Sequence, residues 1–328
     1  MGRSNDAGAQ LADAWPELHL ADWLGTRDTL HMCTQVVGKV KLALAPPQNH
    51  WWHAPLLVTP RGLTTGPVPY GDRALELAFD LVDHELLIHT SEGRLKALPL
   101  LPRSVASFYD EVMLALRALD VEVRIWRMPV EVPQPIPFDQ DKLHTEYDAT
   151  YANRFFRVLL QTDAALRTFA GEFTGKASPV HFFWGSFDMA YTRFSGRRAP
   201  ERPGADRVTK EAYSHEVMSF GFWPGGGVVD DAAFYAYAAP EPEGFAGARL
   251  SPDAAQYVTE LREFILPYHA VRTSDSPRDT LLEFFRAAYD AGATLAGWDR
   301  DALDRRPEPA TDGGAREHLA EEPSPPPM

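Results

Sequence analysis

A histidine and an aspartate, His181 and Asp188, lie inside the most aromatic stretch of the chain, Pro179 to Phe194. A carboxylate beside an imidazole fixes its tautomer and strengthens it as a base, so the pair is a candidate for acid–base chemistry. A polar pair on a half-exposed sheet face accounts for the same two residues without any chemistry. Ser214-His215-Glu216 is the next candidate. In a strand His215 and Glu216 point to opposite faces. Glu216 then shares a face with Met218, Phe220 and Phe222, where a carboxylate needs a partner such as Arg193 or Arg197, or takes a raised pKa. His181, Asp188, His215 and Glu216 are therefore expected to line one cleft. Trp184, Arg193, Arg197, Trp223, His50, Trp52 and His53 are candidate ligand contacts, although aromatic side chains more often build a core.

Other chemistry is weakly supported. His50, His53, His181 and His215 could supply a metal with nitrogen, but no His-Glu-x-x-His pattern exists and no metal is assigned. Cys33 falls on the apolar stripe of a helix, which suits burial better than nucleophilic duty. Ser186 lacks the second glycine of a nucleophile elbow. Gly225-Gly226-Gly227 precedes no helix and is no phosphate loop. Nothing in the sequence specifies a cofactor.

The elements that must hold these residues follow from periodicity. Two apolar runs flank Gly185-Ser186, which reads as a hairpin whose tight turn takes its positive φ from glycine. Trp184 then opposes Phe187, Phe182 opposes Met189 and Val180 opposes Tyr191, so these six make one apolar face. His181, Phe183, Asp188, Ala190 and Thr192 make the other. A helix starting at Ser186 is the competing reading.

Before the hairpin, a helix from about Thr26 or Asp28 to Pro46-Pro47 carries a buried stripe, with His31, Gln35 and Lys39 on a face read as solvated. Strands are expected near 56–59, 74–80, 84–90, 94–100 and 121–126, with a loop over 60–73 and a helix over about 104–119. Residues 129–146, with four prolines, read as a semi-rigid connector. A long helix over about 148–173 precedes the hairpin. After it come a loop over 197–207, strands over 213–223 and 233–238, and helices opened by Ser251-Pro252 and Ser276-Pro277.

Short turns between sequential strands predict an α+β fold of antiparallel sheets flanked by helices, in two similar halves. The expected division is a flexible start over 1–14, a first half over 15–128, the connector, a second half over 147–298, and a disordered acidic, Pro-rich tail over 299–328.

Composition excludes several classes. The 328 residues carry a net charge of −14, which argues against nucleic acid and anionic membranes as partners and otherwise suggests only solubility; a small-molecule ligand is the expected partner. A single cysteine forbids an internal disulfide and fits a reducing compartment. No secretory signal or membrane span is evident, so the chain reads as cytoplasmic. The oligomeric state is not specified.

Thr29-Leu30-His31-Met32, Asn49-His50-Trp51-Trp52-His53, Ser178 to Asp188, Arg193 to Arg198, Tyr213-Ser214-His215-Glu216 and Gly221-Phe222-Trp223-Pro224-Gly225 resemble a bacterial family known as domain of unknown function 5996. The likeness covers nearly all of residues 15–300. It implies one full-length unit and carries no activity, ligand or catalytic residue. Two readings remain: a cofactor-independent acid–base enzyme acting on a small metabolite, with His181 as base, Asp188 as orienter and Glu216 as a second acid or base; or a protein that binds a small molecule or a partner without turnover.

Overall fold

A computed structural model describes residues 14–306. Residues 1–13 of the expected flexible start and 307–328 of the expected tail lie outside them. The described chain runs α1 (Leu24–Leu44), β1 (Leu57–Thr59), β2 (Gly62–Thr64), β3 (Val68–Tyr70), β4 (Arg73–Asp80), β5 (Glu85–Thr90), β6 (Leu95–Pro99), α2 (Val105–Ala118) and α3 (Ala149–Ala170). It continues with β7 (His181–Phe183), β8 (Asp188–Arg198), α4 (Arg207–Ala212), β9 (His215–Trp223), β10 (Ala233–Ala239), β11 (Gln256–Val258), β12 (Glu263–Pro267), α5 (Tyr268–Arg272), α6 (Pro277–Leu295) and α7 (Arg300–Leu303).

The fold is α+β, with two six-stranded antiparallel sheets flanked by helices. One sheet has the order β1-β2-β4-β5-β6, with β3 also on β4; the other has the order β11-β12-β10-β9-β8-β7. The edge strands β1 and β7 meet at a single bridge, where Leu56 and Phe182 exchange both backbone hydrogen bonds at 2.8 Å. The helices cover one face of the second sheet. There Phe169 of α3 packs on Tyr191 and Phe220, and Phe285 of α6 packs on Phe220 and Phe234. One continuous apolar core takes residues from both sheets and from α1, α2, α3 and α6.

The hairpin has the expected register, with Phe182 opposite Met189 and His181 opposite Ala190. Its apolar face is buried throughout, from Val180 to Tyr191. Its turn is different from the expected one. Trp184–Phe187 form a four-residue loop closed by Phe187 N–H donating to Phe183 O at 2.8 Å, and Phe187, not Gly185, takes the positive φ of 59°. Burying the Phe187 ring against Phe155 and Phe182 outweighs the strain of a left-handed phenylalanine. Gly185 serves a close approach instead, because a Cβ there would stand 2.6 Å from the Glu131 carboxylate.

The polar stripe of α1 is not solvated: His31, Gln35 and Lys39 are all buried. His31 Nε2–H donates to Gly185 O at 2.8 Å, and the Gln35 amide pairs with both backbone groups of Val130, at 2.8 and 2.9 Å. The stripe thus holds the proline-rich segment and the hairpin loop against the helix. Trp184 completes this seam. Its Nε1–H donates to Ala54 O at 2.8 Å, and its ring lies so close to Gly38 that a Cβ there would fall 2.3 Å from it. Gly38→Ala gains up to ~1 kcal/mol of helix propensity but crowds a ring that is tied in place, at about 1–3 kcal/mol. A net loss of about 1 kcal/mol is expected in urea unfolding, and an unchanged midpoint would show that the ring moves freely.

Four further expectations change. Residues 121–126 form no strand, since alternation encodes two faces and not a neighbouring strand. Ser251-Pro252 opens no helix; the chain there leads into β11 and β12. The expected loop over 60–73 contains β2 and β3. Residues 299–306, at the head of the expected tail, carry α7 and bridge Asp304 to Phe173.

Candidate functional site

The 3₁₀ turn over Asn49–Trp51 positions the first site residue. His50 takes a positive φ of 55° and Trp51 one of 64°, which turns the His50 ring inward. His50 Nδ1 faces two carbonyl oxygens, Glu211 O at 3.1 Å and Ala212 O at 3.3 Å, so it must donate. Nε2 is then an acceptor and receives Lys176 Nζ at 2.7 Å. The His50 ring lies 4.6 Å from Phe194, 5.1 Å from Trp52 and 5.9 Å from His215. Trp52 lies in turn 6.4 Å from His181. Where the two sheets meet, the structure brings together His50, Trp52, His181 and His215.

The electrostatics of this group have one sign. Burial first, and Lys41 second, pushes His181 down to about 4. Burial lowers His53, His50 and His215, and Lys176 lowers His50 and His215 further. Lys41 is itself buried, donates to Pro55 O, and is lowered to about 8 by the loss of water. The histidines are therefore neutral near pH 7 and the adjacent charges are cationic. A metal finds no set of donors here. His50 Nε2 is occupied by Lys176 and His53 Nδ1 by the Gln48 N–H, and no group of three or more His, Cys, Asp or Glu suited to a metal occurs among the described residues.

Beside His215 opens a cavity of about 720 Å³, lined among others by Arg198, Glu201, Arg202, Lys210, Tyr213 and Ser214. Ser214 Oγ lies 3.1 Å from His215 Nδ1, and the Arg202 guanidinium lies over the Tyr213 ring at 4.3 Å. Among the described residues Arg198, Arg202, Lys210 and Lys176 form no ion pair with a carboxylate. Sequence reasoning missed this pocket. The signal was present: residues 197–210 hold five cations and two acids in a chain of net charge −14.

The other predicted residues are elsewhere. Asp188 shares the outer face with His181 but accepts from Ser186 Oγ and Tyr235 Oη. Burial raises its pKa, and burial with the Asp188 charge raises Glu263 to about 7. Glu216 is held by Arg197, at 2.6 and 2.9 Å, and by Ser195 Oγ at 2.9 Å. Arg197 also donates to Ala296 O and Gly297 O, so the pair ties the strand ends to the end of α6. Arg193 is 1% exposed, 3.5 Å from the Phe169 ring centre and 4.3 Å from that of Tyr289. Trp184 is in the core, and Trp223 is half-buried on the outer sheet face beside Ala190 and Tyr235. Cys33 is a buried free thiol raised to about 12 by desolvation, as its apolar stripe implied.

No helix among the described residues is long and apolar enough to cross a membrane. Comparison with curated proteins and with solved structures gives no match. Comparison with protein families matches residues 15–305, nearly the whole chain, and on that match the protein belongs to the family described as a family of unknown function, DUF5996.

Proposed function

We propose that the protein binds a small anionic metabolite, carrying a phosphate or carboxylate group, in the cavity beside His215. The observation that carries this reading is the set of three cations lining the cavity, Arg198, Arg202 and Lys210, which form no ion pair with a carboxylate among the described residues, in a chain of net charge −14. Cations kept together in an acidic protein repel one another unless an anion joins them. The cavity volume of about 720 Å³ suits a metabolite of ordinary size. Lys176 donates to His50, whose ring lies 5.9 Å from that of His215, and neutral His215 with Ser214 adds hydrogen-bonding groups that repel no anion. The acid–base reading with His181 and Asp188 has less support. Asp188 is bonded to Ser186 and Tyr235, and His181 Nδ1 is buried with no partner. The buried cysteine and the soluble-type surface charge agree with a cytoplasmic location, and the two sheets with their helices agree with two related halves.

A thermal-shift screen of phosphate- and carboxylate-bearing metabolites, followed by calorimetry on the best ligand, tests the reading. Each exposed cation contributes about 1 kcal/mol, so the double variant Arg198→Ala/Lys210→Ala is expected to bind roughly thirtyfold more weakly, with a shallower salt dependence. Equal binding by the double variant, or stabilisation by cationic and neutral compounds only, would rule the reading out.

A further inference from the structure

Among the described residues lining the cavity beside His215, Ser214 alone carries an aliphatic hydroxyl. The turn from α4 into β9 holds it on both sides. Its N–H donates to Glu211 O at 3.3 Å, and its carbonyl accepts from Ala199 N–H at 3.2 Å. Its Oγ lies 3.1 Å from His215 Nδ1, within the distance at which an imidazole takes a hydroxyl proton. Arg198 stands opposite His215 in the ladder, just past the register shift that interrupts β8 and β9 after Phe194. Such irregularities bend a strand and re-aim its side chains. Arg198, Arg202 and Lys210, which pair with no carboxylate among the described residues, line the same opening as Ser214. Cations alone suffice to hold an anion; a hydroxyl bonded to an imidazole beside them adds a nucleophile and its base.

We infer that this cavity hydrolyses small phosphate monoesters, with Ser214 as nucleophile and His215 as general base. The inference rests on the anion-binding reading of the same cavity. Arg198, Arg202 and Lys210 hold the phosphate oxygens and offset the charge of the transferring group. Ser214 Oγ attacks phosphorus as its proton passes to His215 Nδ1. The Oγ–P bond forms and the bond from phosphorus to the ester oxygen breaks. The proton goes on to that oxygen, which leaves as an alcohol. Water then attacks the phosphoserine and gives a proton to His215. The Oγ–P bond breaks, the proton returns to Oγ, and inorganic phosphate departs. Water is the sole co-reactant.

The surroundings keep this base ready at neutral pH. Burial first, then Arg198 and Lys176, lowers His215 from its ordinary value of 6.5, so above that pH the ring is neutral and a nitrogen lone pair is free. Arg198 thus serves twice, holding phosphate and keeping the imidazole unprotonated. The rate is expected to fall only as the pH drops below 6.5, where His215 takes a proton and can no longer accept one from Ser214.

The test gives the full-length protein 4-nitrophenyl phosphate. Nitrophenolate release is expected, and acid-quenched protein is expected to carry phosphate on Ser214 by mass spectrometry. Ser214→Ala, purified in the same way, is expected to lose roughly 100-fold or more of the turnover and to take up no phosphate. His215→Asn is expected to lose about 100- to 10,000-fold, together with the fall in rate below pH 6.5. Calorimetry with inorganic phosphate separates the two claims. A wild type that binds phosphate but neither releases nitrophenolate nor becomes phosphorylated overturns the hydrolysis and leaves the anion-binding reading standing. A wild type that binds no phosphate overturns both. Turnover that Ser214→Ala leaves intact also overturns the hydrolysis, whatever phosphate binding shows.

Discussion

His181→Phe is expected to gain about 2.5 kcal/mol of stability on the wild type between pH 7.5 and pH 4.5. His181 is 4% exposed and takes a proton in the folded state only near pH 4, against 6.5 for the free side chain. A histidine lowered in this way contributes stability that is fully present above pH 6.5 and is lost as the pH falls toward 4, because only the unfolded chain can accept the proton. A phenyl ring suits the position. Nδ1 bonds nothing, and the surroundings are the rings of Trp52 at 6.4 Å and Phe183 at 5.9 Å. His31 is lowered to about 4 as well, but it donates to Gly185 O, so replacing it would remove a hydrogen bond too. Glu263 works in the opposite direction: raised to about 7, it favours the folded state as the pH falls below that value. The wild-type profile is a sum of opposing parts, and the difference between variant and wild type isolates one of them. Urea titrations of both proteins at the two pH values give it, and a difference that stays constant with pH would mean that His181 is solvated.

Gly221→Ala is expected to lose about 3 kcal/mol or to fail to fold. Gly221 pairs with Ala190 on one side and with Tyr235 on the other. A Cβ would stand 2.0 Å from Met189 O and 2.5 Å from the Tyr235 ring and hydroxyl. The carbonyl belongs to the sheet and cannot step aside, so the strand must bulge or Tyr235 must lift. Lifting Tyr235 breaks its hydrogen bond to Asp188 and leaves a buried carboxyl with Ser186 alone. The expected loss combines overpacking with a buried polar group deprived of a partner. An unfolding midpoint in urea equal to the wild type would contradict it.

Much of the second sheet was readable because a half-buried strand writes its environment at every second residue. A tight turn at Gly185-Ser186 gave the hairpin register and the alternation of Val180, Phe182, Met189 and Tyr191 supported it; the register is the observed one, although the turn itself was misread. Local rules assign a positive φ to glycine, whereas burial of Phe187 decided the matter. The α1 stripe was misread for a related reason. Helical periodicity separates apolar from polar positions, but it is blind to a proline-rich segment that presents only backbone groups, which Gln35 and His31 can satisfy and a leucine cannot. Glu216 was correctly suspected of needing a partner, and Arg197 supplies it. His181 and Asp188 were correctly placed on one face, yet Tyr235, forty-seven residues after Asp188, reached the carboxylate first. The cationic cavity went unseen because it is made by a loop, where spacing carries no geometric message.

The junction of Leu56 and Phe182 has a consequence for how the molecule stays in solution. The outermost strand of any open ribbon offers bare amide groups that a stranger's backbone can extend into a fibre. Here the ribbons stop each other's growth at one margin, each using a stretch contributed by the other half of the chain. Neither portion, released by itself, would retain that stopper.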